Sequence, residues 1–339
     1  MLGHIGFSRV NVLLWILVWS VVAGACSAYL LYGTPNAKAA TSCSGKHIYP
    51  PQNLTNVAAG SQAGTTFCIH DGTYNISSAI TVQDNDRFIG VYNDSSRPAV
   101  ATTQARYVFN TTNADYVRIE GLKISGAVGN NLCEPNCGRG IGGGGINLTV
   151  VDVRLTGNKN QGIGGVGHGL RVERSEIDHN GSWSFTGLDN PTSSVSAGIK
   201  SVKSMTVLNS HIHDNYWSGV WCDEQCTNFT VRNNIITGHG KAGIHFEISK
   251  GPAIISGNRI QGNGILGSQV GHFAGLLIVS SSQVDAYNNT FGSNQAGYGV
   301  KIVKDGRYPG VNGVKIHDNI RNGDAIVGCT ISGVTCYGN

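Results

Sequence analysis

Charge is what this chain has least of: Lys, Arg, Asp and Glu together make 13% of its 339 residues, about half the usual share. What charge there is nearly cancels, with 24 Lys+Arg against 20 Asp+Glu for a formal +4, so no nucleic-acid partner is expected. Helical bundles and coiled coils, which draw heavily on Ala, Glu, Lys and Leu, are excluded by the same scarcity. In their place stand 48 Gly and 31 Asn, residues that serve turns and left-handed backbone positions. Many short strands joined by tight turns are the expectation.

Residues 1–39 stand apart. Asn11 to Tyr32 is an uncharged apolar run preceded by Arg9, which reads as an export signal. Its 22 residues would also span a bilayer, so an uncleaved N-terminal anchor is the competing reading. Ala37-Lys38-Ala39 has the small-x-small form of a cleavage site. The expected location is secreted or cell-surface anchored, with membrane contact only through this segment. Cysteine usage agrees. With Cys26 set aside, Cys133/Cys137, Cys222/Cys226 and Cys329/Cys336 form close pairs, and Cys43 and Cys68 are left over. In an exported chain these spacings favour disulfides over a zinc site. Residues 40–66 then make a lead-in segment with an N-terminal cap, and 67–339 the main domain.

That domain repeats. Met205 to Asn215 recurs as 148–158, 170–180, 229–239, 253–263 and 284–294, with an apolar anchor at Leu155, Ile177, Ile212, Ile236, Ile260 and Phe291. The anchors are 22, 35, 24, 24 and 31 residues apart, which suits one coil of a solenoid with insertions on its outside. A second element opens each coil with Gly and an aliphatic residue, at Gly140, Gly162, Gly198, Gly219, Gly243, Gly275 and Gly299. Counting that Gly as zero, alternation turns positions one and three inward and even positions to solvent. Regular Leu spacing and a helix per unit, the marks of leucine-rich repeats, are missing. A parallel β-helix fits, all-β and with Asn stacked at its turns, and its single-stranded right-handed form is what the resemblance set out next implies.

Blocks such as SGVWCDEQCTNFTVRNNIITGHGKAGIHFEIS and GPAIISGNRIQGN resemble the exported right-handed parallel β-helix proteins of the pectate-lyase-like superfamily, over residues 65–339. NLTNVAAGSQAGTTFCIHDGTYNI is similar to that superfamily's short capping helix and first coil. The resemblance implies the fold. It leaves the reaction open among polysaccharide lyases, glycoside hydrolases, uronan epimerases and non-catalytic surface proteins. No Asp-Pro-His-Glu of the uronan epimerases and no stacked Asp motif of the polygalacturonases is present, although Gly238-His239-Gly240 is similar to a polygalacturonase element.

Outward position two carries Gly142, Gly164, Lys200, Trp221, His245, Leu277 and Lys301, and position four carries Asp223 and Glu247. Asp223, Glu247, His245 and Lys200 are the candidate catalytic residues. Trp221 and Lys241 are candidate substrate contacts, joined by His213 and Asp214 of the neighbouring strand. Asp223 and Glu247 could also hold a Ca²⁺ ion. The plainer reading makes Trp221 a cover for Leu277 and the carboxylates solvated charges, though like charges in register are destabilising unless compensated. Long connections at 127–139, 181–197 and 264–274, bearing Trp183, Phe185, Asp189 and His272, would wall a groove suited to an extended polymer. A lyase of an acidic polysaccharide, acting as a monomer, leads the expectations. Hydrolase, epimerase and non-catalytic glycan binder are the alternatives.

Overall fold

The computed structural model describes residues 42–93, 96–128, 137–181 and 196–339; the export or anchor segment and Cys133 lie outside them. The chain winds into a right-handed parallel β-helix whose coils each place one strand in three parallel sheets, of 12, 9 and 10 strands in chain order. The coil at Met205–Leu208, His211–His213 and Ser218–Cys222 is representative. The repeated element from Met205 to Asn215 therefore contains two strands. Asn209 bends the chain between them with φ 49°, a left-handed position that Asn tolerates better than most residues.

Three apolar columns fill the interior. Val150, Val172, Val207, Val231, Ile255 and Ala286 stack in the first sheet. The anchors Leu155 to Phe291 stack in the second, and Ile141, Ile163, Ile199, Val220, Ile244, Leu276 and Val300 in the third. Every one of these side chains is fully buried, a gain of about 1.5–3 kcal/mol for each large aliphatic one. Leu54 and Ala58 of the short helix Leu54–Ala59 bury against the first coils. Lys46–Ile48, ahead of that helix, already pairs with Thr66–His70, so the solenoid takes in part of the lead-in segment.

Alternation fails at the repeated glycine, for a steric reason. A Cβ on Gly198 would lie 2.7 Å from the Gly219 carbonyl and 2.9 Å from Asn215 Nδ2, and the same clash recurs at Gly162, Gly243 and Gly275. The glycine and the aliphatic residue after it both face inward. The residue before the glycine, expected inside, points out instead.

The corners are sewn by side-chain ladders. Asn158, Asn180 and Asn215 each donate Nδ2 or accept on Oδ1 from coil to coil at 2.9 Å, and Asn263, Asn294 and Asp324 continue the series. A second ladder runs through Asn234, Asn258, Asn289, Asn319 and Asn339. His239 occupies a rung of the first. Its Nδ1 accepts from the Asn215 amide at 3.2 Å and its Nε2 lies 3.1 Å from the Ile212 carbonyl. Gly238-His239-Gly240 is thus a structural corner with a fully buried imidazole, whatever its likeness to a polygalacturonase element.

The bonded pairs Cys43–Cys68, Cys222–Cys226 and Cys329–Cys336 have Cα separations of 5.7, 5.8 and 5.8 Å. Of the fourth expected pair, Cys133 with Cys137, only Cys137 falls among the described residues. Cys137 is fully buried and disulfide-bonded, and its carbonyl accepts from Asn160 Nδ2 at 3.2 Å, which ties it to the neighbouring coil. Because Cys133 lies outside the described residues, the pairing of Cys137 with it stays an expectation of the sequence, unlike the other three bonds. Among the described residues, no helix is long and apolar enough to cross a membrane.

Burial lowers the His239 pKa from 6.5 to about 3. A base with a depressed pKa takes up its proton more readily unfolded, so its contribution is complete above pH 6.5 and is lost as pH falls toward 3. His239→Asn should restore a uniform ladder and remove up to about 1.4 kcal/mol per pH unit of acid destabilisation in that window. Urea midpoints of both proteins across the window measure it; parallel curves would contradict it.

Candidate functional site

On the third sheet the expected register holds: Gly142, Gly164, Lys200, Trp221, His245, Leu277 and Lys301 are paired rung by rung. They face out of the coil, but the middle of the row is not solvated as alternation predicted. Trp221 is 5% exposed and His245 and Leu277 are 0% exposed. The cause is a second apolar layer. The segment 264–273, with a 3-10 turn at Gly267–Val270, lays Val270 and Phe273 against Trp217 and Trp221, with Tyr216, Leu266 and Tyr298 at the margin. The signal was in the insert itself, since a loop bearing Leu266, Val270 and Phe273 is too apolar for a solvated wall.

Beside this layer a cavity of about 230 Å³ is lined by Trp217, Trp221, Asp223, Glu224, Lys241, Glu247, Ile248 and Arg307. Asp223 and Glu247 do meet there, as register required. Asp223 is held by the turn that the Cys222–Cys226 bond closes, where Glu224 and Gln225 have φ of 51° and 68°. Its amide donates to the Ser201 carbonyl at 3.0 Å.

Each carboxylate has its own cation. Lys200 Nζ lies 3.1 Å from Asp223 Oδ2 and 3.4 Å from the Trp221 ring centroid. Arg307 Nη2 donates to Glu247 Oε1 at 2.7 Å, while its Nε is fixed by Asp305 at 2.7 Å. Lys241 Nζ is 5.1 Å and 5.7 Å from the Trp217 and Trp221 ring centres. Burial raises the Asp223 pKa, opposed by Lys200 and reinforced by Glu247. Burial lowers that of Lys241, against the pull of Glu247 and Asp223. The acid and the amine are both pushed toward their neutral forms, an arrangement that suits proton transfer. The site does not fit Ca²⁺, because Lys200 and Arg307 already pair with the two carboxylates.

His245 is displaced from the role expected of it. It lies stacked on Trp221, ring centres 4.9 Å apart, and does not line the cavity. Its Nε2 is 3.2 Å from Glu247 Oε2, yet neither ring nitrogen has hydrogen-bond geometry. Burial, then Lys241, Lys200 and Arg307, hold its pKa far below the usual value, so the ring is neutral. His213 and Asp214 belong elsewhere: His213 ends a strand of the second sheet, bonded to Asp214 at 2.8 Å and near Glu176 at 3.4 Å. Glu176, Asp178 and His213 could together offer three metal ligands, but both Asp178 oxygens already accept from Arg154 at 3.1 Å. That face is a ladder of compensated charges. His272 is exposed on the covering segment, and Trp183, Phe185 and Asp189 lie outside the described residues.

A larger cavity of about 470 Å³ adjoins the first, and Asp223 and Glu224 line both. Its remaining walls include Lys200, Arg139, Tyr107 and Gly165. Arg139 and Arg307 escaped the sequence reading, Arg139 because it precedes the repeated glycine and Arg307 because it sits on a turn outside the ladder.

The family model described as "Right handed beta helix region" matches residues 102–291. No curated protein sequence matches. Among solved structures, the chain is similar to the A-module of Azotobacter vinelandii mannuronan C-5 epimerase AlgE4, at 14% identity and TM-score 0.52 over 84% of this chain and 93% of that one. It is also similar to pectate lyase Pel9A, at 15% identity and TM-score 0.47 over 89% and 81%, and to PfbA, a surface adhesin of Streptococcus pneumoniae, at 13% and 0.48 over 84% and 86%. At these identities the likeness concerns the fold.

The buried His245 ring yields a stability prediction. His245→Phe keeps the stack on Trp221 and removes two buried polar atoms without partners, so it should stabilise the fold by about 1 kcal/mol. Thermal unfolding reads the change; a loss of stability would show that the nitrogens are satisfied in solution.

Proposed function

We propose, from the premise that this chain belongs to the right-handed β-helix family, that it is an exported polysaccharide lyase acting on an acidic glycan along the outer face of its third sheet. The observation that carries the reading is Lys241: a half-buried amine beside Asp223 and Glu247, with its proton affinity reduced, in a cavity walled by two indoles. Two cations at that cavity, Lys200 beside Asp223 and Arg307 beside Glu247, favour an anionic substrate. Trp217 and Trp221 give an apolar wall for sugar rings. The bonded cysteine pairs support an oxidising, extracytoplasmic location.

The chemistry is a β-elimination on a uronate. Lys241, in the neutral form that its burial favours, takes the proton from C5, and the charge spreading into the substrate carboxylate is met by Lys200 and Arg307. Asp223, whose burial favours its protonated form, gives its proton to the glycosidic oxygen as the C4–O4 bond breaks and the C4=C5 double bond forms. One proton leaves carbon, one reaches oxygen, and no metal takes part.

Incubation with a panel of acidic polysaccharides should give the ultraviolet absorbance of an unsaturated uronate, unchanged by a chelator. Lys241→Gln should lower kcat about 10²- to 10⁴-fold with little change in KM. New reducing ends without that absorbance would assign hydrolysis, and tight binding with neither product would assign a glycan-binding surface.

A further inference from the structure

Among the described residues, the outer face of the third sheet is open on one side of the proposed site and shut on the other. The larger cavity is lined by Tyr107, Gly144, Gly165, Lys200 and Asp223, which belong to or closely follow the strands Tyr107–Asn110, Arg139–Gly142, Gln161–Val166, Ala197–Ser201 and Ser218–Cys222. Those strands are consecutive in the sheet, so the cavity runs along it for four spacings, about 19 Å.

Beyond Asp223 and Glu247 the face changes character. The rungs of His245 and Glu247 continue into Leu277 and Val279, which are 0% and 3% exposed. With Ala242 and Ala274 these two form an apolar layer outside the coil, and Tyr298 and Val303 pack against it. Two crossings of the chain seal that side. Segment 264–273 is tied to the preceding coil at both ends: the Leu266 amide donates to the Gly240 carbonyl at 2.9 Å, and the Ala274 amide to that of Lys241 at 3.3 Å. Between these ties it lays Val270 and Phe273 on Trp217 and Trp221. The turn after Tyr298–Val303 then comes back across the Ser280 and Glu247 coils, with the Asp305 amide donating to Ser280 Oγ at 3.2 Å and Arg307 Nη2 to Glu247 Oε1 at 2.7 Å.

A polymer lying on a sheet face needs exposed surface on every rung that it crosses. The Leu277 rung has none, and lifting the cover would return Val270, Phe273 and Leu277 to water. We propose that the site takes its glycan by the end: the chain lies in the larger cavity, its terminal residue is stopped in the smaller one by segment 264–273 and the Arg307 turn, and the protein acts on chain termini. Val270 and Phe273, which hold the cover down, then decide between terminal and internal binding. The inference rests on the acidic-glycan reading above but not on cleavage.

The test is the stoichiometry of binding to size-fractionated polyuronates, measured calorimetrically with the full chain carrying Lys241→Gln so that bound glycan is not turned over. One protein per glycan chain at every length is expected. A stoichiometry that grows in proportion to length would overturn the inference, because the cover would then lift for internal binding, and would leave the acidic-glycan reading standing. Absence of binding to any polyuronate would remove that reading and this inference with it. Val270→Ser combined with Phe273→Ser strips the anchors of the cover, which pack outside the coil interior, and should make the stoichiometry grow with length. A value still fixed at one, in a variant that unfolds cooperatively, would overturn the role of the cover. Turnover by the wild type should release product of one small size from the outset, and an early collapse of viscosity would count against terminal action.

Discussion

The hydrogen bonds that pass from Asn158 through Asn180 and Asn215 to Asp324 hold neighbouring coils in one register, and the outer face of the protein is a consequence of that register. At the asparagine pairs the side-chain amide bonds the oxygen of the next side chain, and at His239 the backbone amides of Asn215 and His239 carry the series on to Asn263, a geometry that tolerates no slip. A shift of one residue would send Asp223 and Glu247 into a core of Val220, Ile244 and Phe246, where two unpaired carboxylates would cost several kcal/mol each. The ladders, the glycines that make room for them and the apolar columns beneath therefore specify one answer between them.

That frame was legible because it is repetitive. The anchors from Leu155 to Phe291 and the glycines from Gly140 to Gly299 recur at intervals that only a solenoid explains, and they stack as read. Legibility ended where repetition ended. Arg139 was missed because alternation breaks at a glycine too crowded for a Cβ. Trp221 and His245 were placed on the right face and in the wrong medium, since their cover comes from an insert that no repeat predicts. Arg307 arrives from a turn two coils beyond Glu247, a contact with no trace in the spacing.

The site is accordingly more buried than an exposed ladder would be, and its electrostatics change with it. Like-charged neighbours on a solvated strand would be screened. Here Asp223 and Glu247 are each matched by a cation at close range, and Lys241 is left among them with its proton loosened by burial. Such an arrangement stores interactions that water would otherwise weaken. It also explains why Cys222–Cys226 lies where it does, at the turn that aims Asp223.

Repetition has a metric consequence. Groups on different coils of one sheet can be separated only by whole multiples of the strand spacing, about 4.8 Å, so the face behaves as a graduated rule. Gain or loss of a coil between the Arg139 and Asp223 rungs would lengthen or shorten the larger cavity by one graduation while leaving both local surroundings intact. A scaffold of this kind can match polymers of different repeat by copying a unit of its own gene, with no pocket redesigned.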